Sequence, residues 1–189
     1  MDSVLPGELV DAAKRVIEAN RAAGRRIAVA ESCTGGLVSA ALTEIPGSSD
    51  VFDIGFVTYS NEAKQNAVDV SSDMIETFGA VSVAVAWSMA QGALKGSQAD
   101  VAVAITGIAG PGGGSEMKPV GTVVFARAER GSDPHDVVAD ERHFEDRGRG
   151  HIRLQAALCA LDLLMPGANP LAADDQAGDD QAGDGAPSP

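Results

Sequence analysis

The chain has 189 residues, 44% of them hydrophobic and 22% charged, which is enough for one globular core. Aromatics make up only 4%, and Ala, Val, Ile and Leu dominate the apolar set, a composition that predicts an α/β fold with Ala-rich helices over a sheet. The formal charge is −13 with no basic stripe, so nucleic acid is not an expected partner.

Two cysteines, Cys33 and Cys159, stand too far apart in the chain to read as a disulfide framework, and predict a reducing, cytoplasmic setting. Met1–Val10 carries Asp2 and Glu8 and no apolar core, so no secretory signal is expected. The most apolar helical stretch, Val81–Leu94, is interrupted by Ser82, Ser88, Gln91 and Gly92, and no membrane association is predicted.

In chain order, Leu9, Val10, Ala13, Val16, Ile17 and Asn20 recur at helical spacing and predict a helix over Pro6–Ala23, stopped by Gly24. Ile27–Ala30 reads as a buried strand, followed by a polar turn and a helix over Leu37–Ile45. Ile54–Tyr59 has the β-branched and aromatic bias of a strand. Short helices are expected over Glu62–Val68, capped by Ser60 or Asn61, and from Ser72 through Ile75 and Phe78; Ser82–Gly96 predicts a long one. Val101–Ile105 is another buried strand, and the Gly-rich stretch Thr106–Pro119 reads as a loop. Gly121–Ala128 and Asp136–Phe144 predict an antiparallel pair whose second strand is an edge, and Arg149–Leu164 a last helix. Residues 1–166 form the expected domain; 167–189, with DDQAG repeated, read as a disordered acidic tail.

Three segments can carry chemistry. In Ala30–Gly36, Ser32 leaves the end of a buried strand, and the amides of Thr34, Gly35 and Gly36 stand at a helix start, where they suit a phosphate or a developing oxyanion beside a nucleophilic hydroxyl. Ser32 or Thr34 equally suits an ordinary helix cap. Cys33, a rival nucleophile, has no neighbouring His and is expected to face the core. In Thr58–Lys64, capping by Asn61 would make Lys64 the third helical residue, where the helix dipole lowers the pKa of an amine. Lys64 then becomes a usable base for Ser32, with Tyr59 relaying a proton or orienting the amine. An ordinary solvated lysine fits the same residues. The third segment, Thr106–Ser115, follows a strand and includes Gly107 and Gly110, where backbone can approach a ligand closely; it matches neither a Walker loop nor a dinucleotide fingerprint. Arg149 can reach a phosphate, although Arg149 and Arg153, four apart, also read as a solvated face. His135, His143 and His151 lack metal-ligand spacing, so neither a metal nor another cofactor is expected.

AESCTGG at 30–36, GFVTYSNEAK at 55–64, TGIAGPGGGSEMKPVGTV at 106–123 and RGHIRLQAA at 149–157 together resemble the CinA carboxy-terminal domain family. The resemblance implies a single three-layer α/β/α domain with a mixed sheet. Stand-alone members are nicotinamide-nucleotide amidohydrolases, so it also implies hydrolysis of nicotinamide mononucleotide to nicotinic acid mononucleotide and ammonia, in pyridine nucleotide salvage. On that likeness Ser32 is the nucleophile and Lys64 the base, with Tyr59 beside them, while Thr106 and Arg149 support or bind substrate. The family arginine can align with Arg147 or Arg149, and counting back from Arg153 selects Arg149. A homodimer is expected. Two-domain members carry an additional amino-terminal domain for which 189 residues leave no room, so none of its activities is expected. The alternative is a non-catalytic nucleotide-binding or regulatory module linked to competence or DNA damage.

Overall fold

The computed structural model describes residues 3–133 and 135–168. Its elements are α1 (Gly7–Ala22), β1 (Ile27–Glu31), α2 (Leu37–Thr43), β2 (Phe52–Val57), α3 (Asn61–Val68), α4 (Ser72–Phe78), α5 (Val83–Lys95), β3 (Val101–Gly107), β4 (Thr122–Glu129), β5 (Ala139–His143) and α6 (Arg149–Leu163). The strands form one mixed sheet in the order β2-β1-β3-β4-β5, with β1 parallel to both β2 and β3 and the last three strands antiparallel. α1, α2 and α6 cover one face, α3, α4 and α5 the other. This is the three-layer α/β/α arrangement with a mixed sheet that the family resemblance implies. Among the described residues no helix is long and apolar enough to cross a membrane.

The apolar runs carry finer information than simple burial. In β1 and β3 the larger residues Ile27, Val29, Val101, Val103 and Ile105 pack under α1, α2 and α6. The intervening alanines, Ala28, Ala30, Ala102 and Ala104, face α5. Because side chains alternate across a sheet, one face is built thick and the other thin, and α5 answers with Ala86, Ala90 and Ala93. The close approach continues sideways to α3: a Cβ on Gly92 would lie 1.9 Å from the Val68 carbonyl oxygen. Gly92→Ala, normally favourable inside a helix, is therefore expected to destabilise by about 2 kcal/mol, lowering Tm by about 5 °C in a thermal melt. An unchanged or raised Tm would contradict this packing.

Most element boundaries agree with the sequence reading, and the departures have physical causes. β2 begins and ends two residues earlier than expected, because its sheet partner is β1 and the pairing stops at Glu31–Val57. Thr58 makes one last bond, its amide to the Glu31 carbonyl at 2.7 Å, and Tyr59 is released from the sheet. Thr106 and Gly107, expected in the loop, belong to β3, paired with Val124 and Val123. Val10 is only half-buried, whereas the polar Asn20 is fully buried and satisfied: its side-chain amide donates to the carbonyls of Val16 (2.9 Å) and Leu164 (3.0 Å), tying α1 to the end of α6. β5 is the expected edge, starting at Ala139 rather than Asp136. The predicted disordered tail, apart from Gly167 and Ala168, lies outside the described residues.

Candidate active site

The chain leaves β1 toward β2 and leaves β3 toward β4, so the carboxyl ends of these adjacent parallel strands diverge and open a crevice between them. A cavity of about 280 Å³ occupies it, lined by Ser32, Cys33, Tyr59, Asn61, Lys64, Ala80, Val81, Thr106, Gly107, Ala109 and Arg149. A larger groove of about 490 Å³ runs over α4 and α5, but it is lined by Met74, Phe78, Ser82, Val83, Ala84, Trp87 and Val137 and has no ionisable side chain for acid–base work. Six of the residues selected from sequence, Ser32, Tyr59, Lys64, Thr106, Gly107 and Arg149, share the first cavity.

Ser32 is the first residue beyond β1, its amide held by the Ile105 carbonyl of β3 at 2.8 Å. Lys64, on α3, is 2% exposed and extends inward until Nζ lies 3.0 Å from Ser32 Oγ and donates to the Thr58 carbonyl at 2.9 Å. The solvated-lysine alternative does not hold. Burial pushes the Lys64 pKa down from the ordinary lysine value, and among the described residues no carboxylate pairs with it. Ser60 rather than Asn61 caps α3, its hydroxyl accepting from the Ala63 amide at 3.1 Å. Lys64 is thus the fourth helical residue, and the cause of the shift is desolvation, where the sequence reading assigned it to the helix dipole.

Tyr59 departs from expectation too. It is 61% exposed, and its hydroxyl accepts from Arg149 Nη2 at 2.8 Å, while the amine of Lys64 is oriented by the Thr58 carbonyl. Arg149 Nη1 donates to the Gly110 carbonyl at 2.8 Å, so this residue ties α6 to the Gly-rich loop and to Tyr59 at the cavity mouth. Arg147 instead pairs with Glu145 and does not line the cavity. Arg153 is no solvated partner of Arg149; it crosses to donate to the Thr34 carbonyl at 2.7 Å. Thr106 Oγ1 donates to the Ala80 carbonyl at 2.8 Å, fixing the segment before α5 that forms one cavity wall.

The anion site expected at Thr34, Gly35 and Gly36 is not open. Glu31 folds back over the start of α2 and its carboxylate accepts from the amides of Gly36, Val38 and Ser39. The Gly35 amide is taken by the Ser32 carbonyl. Thr34, Gly35, Gly36 and Gly110 do not line the cavity, although the Gly110 carbonyl holds Arg149. Among the described residues the amides of Cys33 and Thr34 meet neither another backbone carbonyl nor Glu31, and both lie against the Cys33 thiol. Cys33 packs in the core, and burial pushes its thiol up to about 12, so it stays protonated. Among the described residues no group of three His, Cys, Asp or Glu side chains is placed to hold a metal ion. Sequence reasoning missed Asn61 as a wall of the cavity and gave no role to Glu31, whose signal was a carboxylate closing an apolar strand before a Gly-Gly turn.

The chain belongs to the CinA C-terminal domain family, which it matches over residues 10–167. It is 50% identical over 141 residues to nicotinamide-nucleotide amidohydrolase PncC of Enterobacter agglomerans, covering 75% of this chain and 84% of that protein. It is 52% identical over 151 residues to a CinA-like protein of Syntrophobacter fumaroxidans, covering 80% of this chain but 34% of that protein, so it spans about a third of that longer relative. The crystal structure of competence/damage inducible protein CihA from Agrobacterium tumefaciens superposes with a TM-score of 0.81 at 49% identity, over 86% of this chain and 96% of that one.

Proposed function

We propose that this protein is a nicotinamide-nucleotide amidohydrolase that hydrolyses nicotinamide mononucleotide to nicotinic acid mononucleotide and ammonia, with Ser32 as nucleophile and Lys64 as base. The observation that carries the reading is the 3.0 Å approach of a buried, carboxylate-free lysine to a serine hydroxyl inside a cavity, together with the kinship to PncC proteins. Burying an ammonium without a carboxylate partner is costly, so burial shifts Lys64 toward its neutral form, and a neutral amine accepts the Ser32 proton. Nothing in a purely nucleotide-binding module calls for that arrangement.

In this mechanism Lys64 Nζ takes the Ser32 proton as Oγ attacks the carboxamide carbon. The protonated amine then passes the proton to the departing nitrogen, the C–N bond breaks, and ammonia leaves an acyl-enzyme. Water, deprotonated by the same Nζ, attacks the ester; the C–Oγ bond breaks and the proton returns to Ser32. Thr58 orients the amine through its carbonyl. The small apolar walls, Ala80, Val81 and Ala109, suit a flat pyridine ring, and Arg149 at the mouth suits the phosphate. Tyr59 serves there as the partner of Arg149, which revises the relay assigned from sequence. The product places the enzyme in pyridine nucleotide salvage.

The test is ammonia release from nicotinamide mononucleotide by the full chain with a metal chelator present. Turnover unaffected by chelator is expected; no release, or release abolished by chelator, contradicts the proposal. Arg149→Met is expected to raise KM by about 10- to 100-fold with kcat within about threefold, the cost of losing a charge-assisted phosphate contact. An unchanged KM in steady-state kinetics would remove Arg149 from the phosphate.

A further inference from the structure

The turn that carries Ser32 is anchored on Glu31, an acidic side chain to which the reaction above assigns nothing. Glu31 is fully enclosed. Its Oε2 accepts from the amides of Gly36 at 3.0 Å and Val38 at 3.1 Å, and its Oε1 from the amide and hydroxyl of Ser39 at 2.8 and 2.7 Å. Four donors satisfy the carboxylate without any cation, and its charge faces the amides of α2 rather than Lys64.

The backbone of Glu31 is equally fixed. It is paired with Val57 on one side and Ile105 on the other, and its carbonyl accepts from the Thr58 amide at 2.7 Å. The turn 32–35 is therefore strung between a mid-sheet strand end and a helix start that the same residue's side chain holds. Gly35 and Gly36, at φ 61° and 90°, supply the backbone conformation that closes so short a path. Arg153 holds the outer side of the turn through the Thr34 carbonyl.

We infer that Glu31 is the positioning residue for the nucleophile, an inference that rests on the Ser32 reading above. By binding the amides of Gly36, Val38 and Ser39 it fixes the turn so that Ser32 Oγ stays against Lys64 Nζ. Glutamine in its place presents an NH₂ group to backbone N–H groups and cannot make the same set of bonds.

The experiment compares wild type and Glu31→Gln by two readouts: kcat and KM for ammonia release from nicotinamide mononucleotide, and the rate at which a fluorophosphonate labels Ser32, located by peptide mass spectrometry. The expected result is a fall of about 10- to 100-fold in both kcat and labelling, with KM within about threefold and an unmoved acid limb of the pH–rate profile, in protein shown folded by circular dichroism. Wild-type rates in Glu31→Gln overturn the inference, as does a loss no larger than the unfolded fraction. If Glu31→Gln does not fold, Ser39→Ala, which removes one donor and keeps the carboxylate, is expected to slow labelling about threefold; a wild-type rate there overturns it. A wild type that labels at Ser32 but releases no ammonia refutes the amidohydrolase reading and leaves the labelling arm decisive for Glu31. A wild type that does not label overturns both.

Discussion

Ser32→Ala is expected to lower kcat for ammonia release from nicotinamide mononucleotide by about 10³- to 10⁵-fold while leaving the dissociation constant for the nucleotide within a few-fold of wild type. The asymmetry follows from geometry. Ser32, 8% exposed, contributes one hydroxyl placed against Lys64, whereas the proposed binding surface is spread over the walls from Ala80 to Ala109 and the mouth at Arg149. Removing the hydroxyl removes the proposed nucleophile and almost none of the contact area. Titration calorimetry beside a coupled ammonia assay reads both quantities. Retained turnover would remove Ser32 as nucleophile, and loss of binding in step with activity would mean that the variant had damaged the site.

The second large effect belongs to Lys64→Met, for which activity and stability are expected to move in opposite directions. Without the base, kcat should fall by about 10²- to 10⁴-fold, and the acid limb of the pH–rate profile, which reports deprotonation of Nζ, should disappear. Burial depresses the Lys64 pKa in the folded state, so between that value and the ordinary lysine value of about 10.4 the unfolded chain binds one more proton than the folded one. Wild-type stability therefore rises with pH across that window and falls as pH is lowered through it. The methionine variant lacks this dependence. Chemical denaturation at several pH values should show the variant gaining on wild type as the pH falls, and a parallel pair of curves would mean that burial does not lower the Lys64 pKa. The trade of stability for a poised base is a common property of active sites.

The strands and most helices were legible because their apolar periods are strong, and α3, α4 and α5 are capped by serines, Ser60, Ser71 and Ser82, each accepting from an amide three residues on. Ser32 and Lys64 were legible as candidates because each stands just past a predicted strand, where parallel strands end together. That Lys64 is buried was not legible: its neighbours Glu62, Gln65 and Asn66 read as a solvated helix, and only the tertiary docking of α3 against α5 and β2 encloses the amine. The end of β2 depended on the length of its partner β1, which no local pattern in residues 52–59 encodes. Glu31 illustrates the same limit, since the amides of a Gly-Gly helix start look free in sequence and are filled by a side chain whose direction is set by pairing on both sides of β1.

Covalent acylation of the Ser32 oxygen is tested most directly by rapid-quench peptide mass spectrometry of the wild type mixed with nicotinamide mononucleotide. The expected result is a transient ester on the peptide containing Ser32, forming with ammonia release and absent from Ser32→Ala. Ammonia and nicotinic acid mononucleotide appearing at full rate with no adduct on that peptide, or at undiminished rate from Ser32→Ala, would contradict the mechanism.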